Sequence, residues 1–260
     1  HYNPDRGCGG DLYRAIQLSA PALLDRKKGA GLVSVLVRLS DVAIRYPLAS
    51  GGWNQQHIVF EGLNFSLNAG ECVGLIGANG VGKSTLLRVM ARILAPSVGS
   101  VDWAPGVSAS LLSLGLGFRP DLTGEENALL ANLLQGMSKK DARQALGDIA
   151  AFCELGNYFY QPVKTYSSGM RARLGFATAL MNRSQVILID EVLSVGDKAF
   201  RGKAREAMKS QFSEDRAAVI VSHAEQQLKI LCSRVAWLGR SGIKSDGAPD
   251  TVLSAYAGSA

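Results

Sequence analysis

No stretch of eighteen or more apolar residues runs through this chain of 260 residues, so nothing in it reads as a bilayer-spanning helix. The four cysteines, Cys8, Cys72, Cys153 and Cys232, lie far apart with no C-x-x-C pair. That argues against a zinc site or a disulfide framework and for free thiols in a reducing compartment. A concentrated basic face is missing as well. The net charge is +6, yet Arg26-Lys27-Lys28 and Arg171 with Arg173 are the nearest approach to clusters, which falls short of a dedicated nucleic-acid binder. The scattered excess suits a solvated surface facing anionic lipid headgroups. There is no secretory h-region, internal repeat or low-complexity tract. The chain opens on His1 rather than Met, which fits a trimmed terminus. What remains is an ordinary globular composition, 47% apolar and 19% charged, long enough for one large domain or a core with a subdomain.

Against these absences stands one dense feature. Gly77-Ala78-Asn79-Gly80-Val81-Gly82-Lys83-Ser84-Thr85 fits the phosphate-binding pattern G-x-x-x-x-G-K-S/T. The apolar run Cys72–Ile76 before it reads as a buried parallel strand, and Leu86–Leu94 after it as a helix stopped at Pro96. Strand, glycine loop and helix are in the order the motif needs. Glycines let consecutive backbone N–H groups turn onto a phosphate without Cβ clashes, and the helix start adds its unpaired N–H groups and positive dipole end. Lys83 would reach the β- and γ-phosphates and the Ser84 hydroxyl would ligate Mg²⁺, with Gly77, Asn79, Gly80, Gly82 and Thr85 completing the cradle. The chain is expected to bind a nucleoside triphosphate.

In chain order, residues 1–31 read as an extension and 32–260 as the domain proper. Leu32–Leu39 is a strand that leads to Tyr46-Pro47, and 49–57 an exposed loop with Gly51-Gly52. Ile58–Phe60 and Leu63–Leu67 read as strands, then Ser100–Trp103 and Val107–Leu112. Thr123–Ala150 is helical with a break at Gly136, Ser138 serving as an N-cap. Helix Gly169–Met181, strand Val186–Ile189, helix Lys198–Gln211 and strand Ala217–Val221 follow. This is a parallel α/β core interrupted by a helical insert.

Two further constellations carry chemistry. Val186–Ile189 ends in Asp190 and Glu191, and ligands of open α/β sheets bind at the carboxyl ends of strands. Asp190 fits a magnesium ligand, and Glu191 a general base toward the water that attacks the γ-phosphate. Tyr166-Ser167-Ser168-Gly169-Met170 opens a helix and offers a second anion site.

The order phosphate loop, helical insert, Y-S-S-G-M, V-I-L-I-D-E, S-V-G-D and S-H resembles the nucleotide-binding subunits of ATP-binding cassette (ABC) transporters, from Leu32 to about Asp246. Tyr166–Met170 is similar to that family's L-S-G-G-Q signature, Ser194–Asp197 to its D-loop, and Ser222-His223 to its switch histidine. The resemblance implies an α/β P-loop NTPase core with an N-terminal antiparallel β subdomain and an α-helical subdomain inserted at about 119–182. It also implies a head-to-tail homodimer around two ATP molecules. In it Ser167, Ser168 and Gly169 meet the γ-phosphate held by the partner copy, His223 meets it in cis, Asp197 links the sites and Tyr46 stacks on adenine. Trp53 and Phe60 are further aromatics near Tyr46.

One departure stands out. The family's glutamine at the start of the insert is absent from Leu112–Pro120, and Gln135 is too far along to substitute. Leu114–Asn127, L-G-x-G-F-x-P-x-L-T-G-x-E-N, resembles the exporters of O-antigen, capsule and teichoic acid. That resemblance implies lipid-linked glycan as cargo and separate membrane permease subunits, with the chain on the cytoplasmic face and touching the membrane only through the permease. A C-terminal glycan-binding domain, which some O-antigen members carry, would lie beyond Ala260. A soluble cassette ATPase acting in DNA repair or translation is the alternative. A P-loop kinase leaves Tyr166–Met170 and Ser194–Asp197 unexplained.

Overall fold

The computed structural model describes residues 34–47, 56–112, 117–181, 184–190, 198–211, 216–222 and 224–259, with Leu112, Lys198 and Gln211 described for backbone only. The expected extension over 1–31 lies outside these residues. Two sheets organise the described chain. The first is antiparallel, in the order β2-β1-β4, from β1 (Val35–Pro47), β2 (Gln56–Asn68) and β4 (Val98–Trp103). The second, in the order β5-β6-β7-β3-β8-β9, is parallel from β5 to β8. It contains β3 (Cys72–Ile76), β5 (Ala109–Leu112), β6 (Val186–Asp190), β7 (Ala217–Val221) and β8 (Arg234–Gly239), and β9 (Gly242–Gly247) closes its edge antiparallel to β8.

The strands next to the centre are apolar throughout because both of their faces are covered. β3 and β7 are buried at every residue. Period-2 alternation then deals their side chains to two cores. Val73, Leu75, Leu188 and Val219 pack with β1, β2 and α1 (Lys83–Met90), whereas Cys72, Ile76, Ile189 and Ile220 pack with the helices of the insert and the chain's end. Cys72, Cys153 and Cys232 are free and buried. A hydrogen bond between the Cys72 and Cys232 sulfurs, 3.6 Å apart, together with burial, pushes the Cys72 thiol up and keeps it protonated.

The insert contains α2 (Gly124–Leu134), α3 (Lys139–Cys153), two 3₁₀ turns at Gly156–Tyr160 and Val163–Thr165, and α4 (Ser168–Leu180). Its entry explains the L-T-G-x-E-N string. Thr123 and Glu126 form a reciprocal capping box at the start of α2. Asn127, 1% exposed, accepts from the Arg119 N–H at 2.7 Å and donates to the carbonyls of Arg119, Leu122 and Thr123. One buried amide thus knots the loop onto the helix it starts.

Three sequence readings shift. Ile58–Phe60 and Leu63–Leu67 are one strand that passes through Gly62 in the left-handed region. α1 ends at Met90 rather than Leu94, because Arg92 turns left-handed (φ 59°) and lays its guanidinium 4.3 Å over the Trp103 ring. Beyond α5 (Lys198–Gln211), the elements α6 (Glu225–Leu231), β8, β9 and α7 (Pro249–Ala257) are unanticipated. α6 is only seven residues long, and β9 is an edge strand whose Lys244, Ser245 and Asp246 carry no apolar alternation. Asn127→Ala is expected to cost about 2 kcal/mol in urea unfolding, since the Arg119 N–H loses its acceptor while the carbonyls of Arg119, Leu122 and Thr123 each keep a backbone donor. A loss under about 1 kcal/mol would show that the knot is not holding the insert.

Candidate nucleotide site

β3 runs straight into the loop 77–82, and α1 leaves it. Gly77 (φ 152°), Gly80 (φ 76°) and Gly82 (φ 105°) all take positive φ. At two of them space is as restrictive as conformation. A Cβ on Gly77 would lie 2.6 Å from the Leu238 carbonyl oxygen, and one on Gly82 would lie 2.6 Å from Val59 Cγ1 and 2.8 Å from Phe60 Cδ1. The loop is therefore wedged between β8 of one sheet and β2 of the other. Phe60, fully buried, is its floor and is withdrawn from any aromatic role toward a ligand.

Lys83 is the first residue of α1 and only 8% exposed, and its Nζ donates to the carbonyls of Gly77 at 2.8 Å and Ala78 at 3.1 Å. The ammonium is thus folded over its own loop. Ala78, Asn79 and Gly80 form an exposed rim, and Ser84 and Thr85 are half-buried in the first turn. No acidic residue neutralises that turn, so its N–H groups and dipole present uncompensated positive potential.

Asp190 ends β6 half-buried and in register with Val221 of β7, which in turn faces Leu75 of β3. It stands at the carboxyl edge of the sheet, two strands or roughly 10 Å from β3. Among the described residues no salt bridge pairs it, and it ends at the same edge of the sheet as the loop that follows β3. No group of three or more His, Cys, Asp or Glu capable of holding a metal exists among the described residues. That donor set fits a magnesium ion that takes its other oxygens from phosphates and water, as one carboxylate and one hydroxyl provide no complete cage. Glu191, the 194–197 segment with Asp197, and His223 lie outside the described residues. Ser222, just past β7, accepts from the Ala224 N–H at 3.1 Å and donates to Gln227 Oε1 at 3.3 Å.

Ser167 is the N-cap of α4, its hydroxyl accepting from the Met170 N–H at 3.2 Å. Ser168 and Gly169 begin the helix, again with no acidic residue in the first turn. They line an open cleft of about 610 Å³ with Glu154, Leu155, Tyr158, Met170 and Arg173. No residue of 77–85 lines that cleft, so the chain holds two anion-competent helix starts in separate places. Tyr46, 41% exposed and paired with His57 across β1 and β2, presents its ring at the surface near the end of its strand; Trp53 lies outside the described residues.

Two residues take places that sequence reasoning did not foresee. Tyr166 is buried, its hydroxyl donating to the Tyr158 carbonyl and packed so closely on Gly124 that a Cβ there would sit 2.3 Å from it. It pins the segment before Ser167 to the insert rather than facing a ligand. Gln135 returns in space to β5, its Oε1 accepting from the buried Ser110 hydroxyl at 3.0 Å. Ser110 is level with Ile187, three residues short of Asp190, so Gln135 braces the strand from below and does not reach its carboxyl end.

The family model described as ABC transporter matches residues 60–194. The teichoic acids export ATP-binding protein TagH of Levilactobacillus brevis is 40% identical over 195 residues, 75% of this chain and 54% of that protein. The O-antigen export system ATP-binding protein RfbB of Klebsiella pneumoniae is 36% identical over 202 residues, 78% of this chain and 82% of that protein. A dimeric structure of the ATP-binding cassette MJ0796 in a post-hydrolysis state, bound to ADP and phosphate, superposes with a TM-score of 0.70 at 21% identity, covering 82% of this chain and 99% of that one. This chain belongs to the ABC transporter family. It spans about half the length of the TagH relatives it matches, 54% of the Levilactobacillus brevis protein and 41% of the Lactococcus lactis one.

Tyr166 provides a pH test. Burial raises its pKa from 10.0 to about 12. A group whose pKa is raised in the fold stabilises it while protonated, so this contribution is complete below about pH 10 and is lost as pH rises through about 12. Tyr166→Phe is expected to be about 1 kcal/mol less stable near neutrality, from the lost hydrogen bond, with the difference shrinking between pH 10 and 12. Unfolding curves that stay parallel across that interval would contradict the assignment.

Proposed function

We propose that this chain is the ATP-binding subunit of a bacterial exporter of lipid-linked surface polysaccharide, of the O-antigen, capsule or teichoic-acid class. It would hydrolyse ATP on the cytoplasmic face of the membrane beside separate permease subunits. The observation that carries this reading is the 36–40% identity to O-antigen and teichoic-acid export ATP-binding proteins over some 200 residues that include both helix starts. No helix among the described residues is long and apolar enough to cross a membrane.

The amides of Gly77–Gly82 and the start of α1 hold the β- and γ-phosphates, and Lys83 leaves the carbonyls of Gly77 and Ala78 to meet them. Ser84 and Asp190 would hold Mg²⁺, and the ion would supply neutralisation of the charge that develops on the phosphates. Tyr46 stacks on the base. Glu191 orients the attacking water and takes its proton, His223 contacts the γ-phosphate, and Asp197 connects the two sites. Ser167, Ser168 and Gly169 serve the nucleotide of a second copy, because their cleft is apart from the chain's own loop. Closure around two ATP molecules and reopening after hydrolysis would move the permease. Nucleic acid has no part in the cycle, since the net charge of +6 forms no concentrated face.

Glu191→Gln is expected to keep ATP affinity, lower turnover about 100-fold or more, and accumulate a dimer in ATP by light scattering. An unchanged turnover would remove Glu191 from the base role. Co-purification from membranes should recover an integral membrane protein, and recovery of ribosomes or DNA in its place would favour the soluble alternative.

A further inference from the structure

We propose that Arg173 is a positioning residue that makes the signature cleft and the helix after the 194–197 segment move as one body. The inference rests on the reading of that cleft as the site for the partner copy's nucleotide.

Arg173 is four residues after Gly169 on α4, so the two share a face of the helix, and it lines the cleft with Ser167, Ser168 and Gly169. Its guanidinium lies 5.0 Å from the centre of the Phe200 ring. Phe200 is 2% exposed and is the third residue of α5, three positions after Asp197. Its ring is held edge-on by Phe152 of α3 at 5.8 Å and by Phe176 of α4 at 6.0 Å. One helical turn further along α5, Lys203 lies 4.7 Å over Phe152, donates to the Phe152 carbonyl at 3.0 Å and pairs with Glu154 at 2.6 Å. Lys203 thereby satisfies the end of α3, where Glu154 turns left-handed (φ 53°) and lines the same cleft.

The first two turns of α5 are thus fastened to α4 by one cation and to α3 by another, around three aromatic rings. Without Arg173 the Phe cluster still packs, but the cleft loses the planar group that joins its wall to α5. A displacement of about 1 Å at this joint is enough to cost one to two orders of magnitude in rate when the reacting groups come from different elements. The nucleotide loop 77–85 is not part of the joint, so nucleotide affinity in cis should not depend on it.

The experiment measures kcat and KM for ATP, thermal unfolding, and ATP-dependent association in the Glu191→Gln background. It uses Arg173→Met, Arg173→Lys, Phe200→Leu, Phe200→Tyr and the double variant Arg173→Met/Phe200→Leu. Arg173→Met and Phe200→Leu are expected to lower kcat about tenfold or more with KM within about twofold, and the double variant to be no slower than either alone. Phe200→Tyr keeps an aromatic face and is expected to keep kcat within about twofold. Arg173→Lys keeps charge without the planar face and should stay folded with reduced kcat, which preserves the comparison if Arg173→Met unfolds the insert. A kcat near wild type in both Arg173 variants, additive losses in the double, or losses that follow only the fraction unfolded would each overturn the proposal. If the Glu191→Gln parent fails to associate in ATP, the reading of the cleft falls and this role with it. If the parent associates and Arg173→Met in that background associates equally well, the positioning role alone falls.

Discussion

The rest of this structure depends on a loop that has no room for side chains. Gly77 lies against a backbone carbonyl of β8 and Gly82 against Val59 and Phe60 of β2, so the phosphate cradle is pressed between two sheets of different character. The parallel sheet supplies the strand that delivers the chain to the loop, and the antiparallel sheet supplies the floor that shapes it. Any Cβ at either glycine forces backbone or a buried ring to move, which cores at crystal-like density resist. Lys83 occupies the same constrained volume, its Nζ donating to the carbonyls of Gly77 and Ala78.

The second anion site depends on a different set of constraints. Its helix start is fixed by the insert: Tyr166 anchors the approach to Ser167, Asn127 knots the entry loop, and Gln135 braces β5 through Ser110. These polar contacts tie the insert's entry loop, its approach to Ser167 and its return to β5 to named partners. A cleft preformed in this way can meet a nucleotide held elsewhere, which is why a second copy enters the account.

The core was legible because its signals are local and redundant. Cys72–Ile76, Ala217–Val221 and Lys198–Gln211 were bounded correctly from the sequence, since apolar runs and helical spacing there coincide with burial on both faces or one. Roles that come from tertiary contact were not legible. Tyr166 read as a substitute in a motif, yet a buried phenol facing a carbonyl is set by α2 and the 3₁₀ turn, neither adjacent in sequence. Phe60 read as one more aromatic near Tyr46, because nothing local reveals that Gly82 packs on it. Gln135 lies 25 positions from Ser110, a pairing that only the return of α2 to β5 creates. The last strand, β9, escaped notice because an edge strand needs no alternation to be stable.

The central claim is that each nucleotide site is shared between two copies of this chain, and mixing two defective copies tests it most directly. In the Glu191→Gln background, Lys83→Ala disables the loop and Gly169→Asp disables the cleft. Neither variant alone should associate in ATP, whereas the mixture should form a heterodimer that occludes a single ATP, since one loop and one cleft remain intact and face each other. Full association of Gly169→Asp on its own, or no association in the mixture while the parent dimerises, would contradict a shared site.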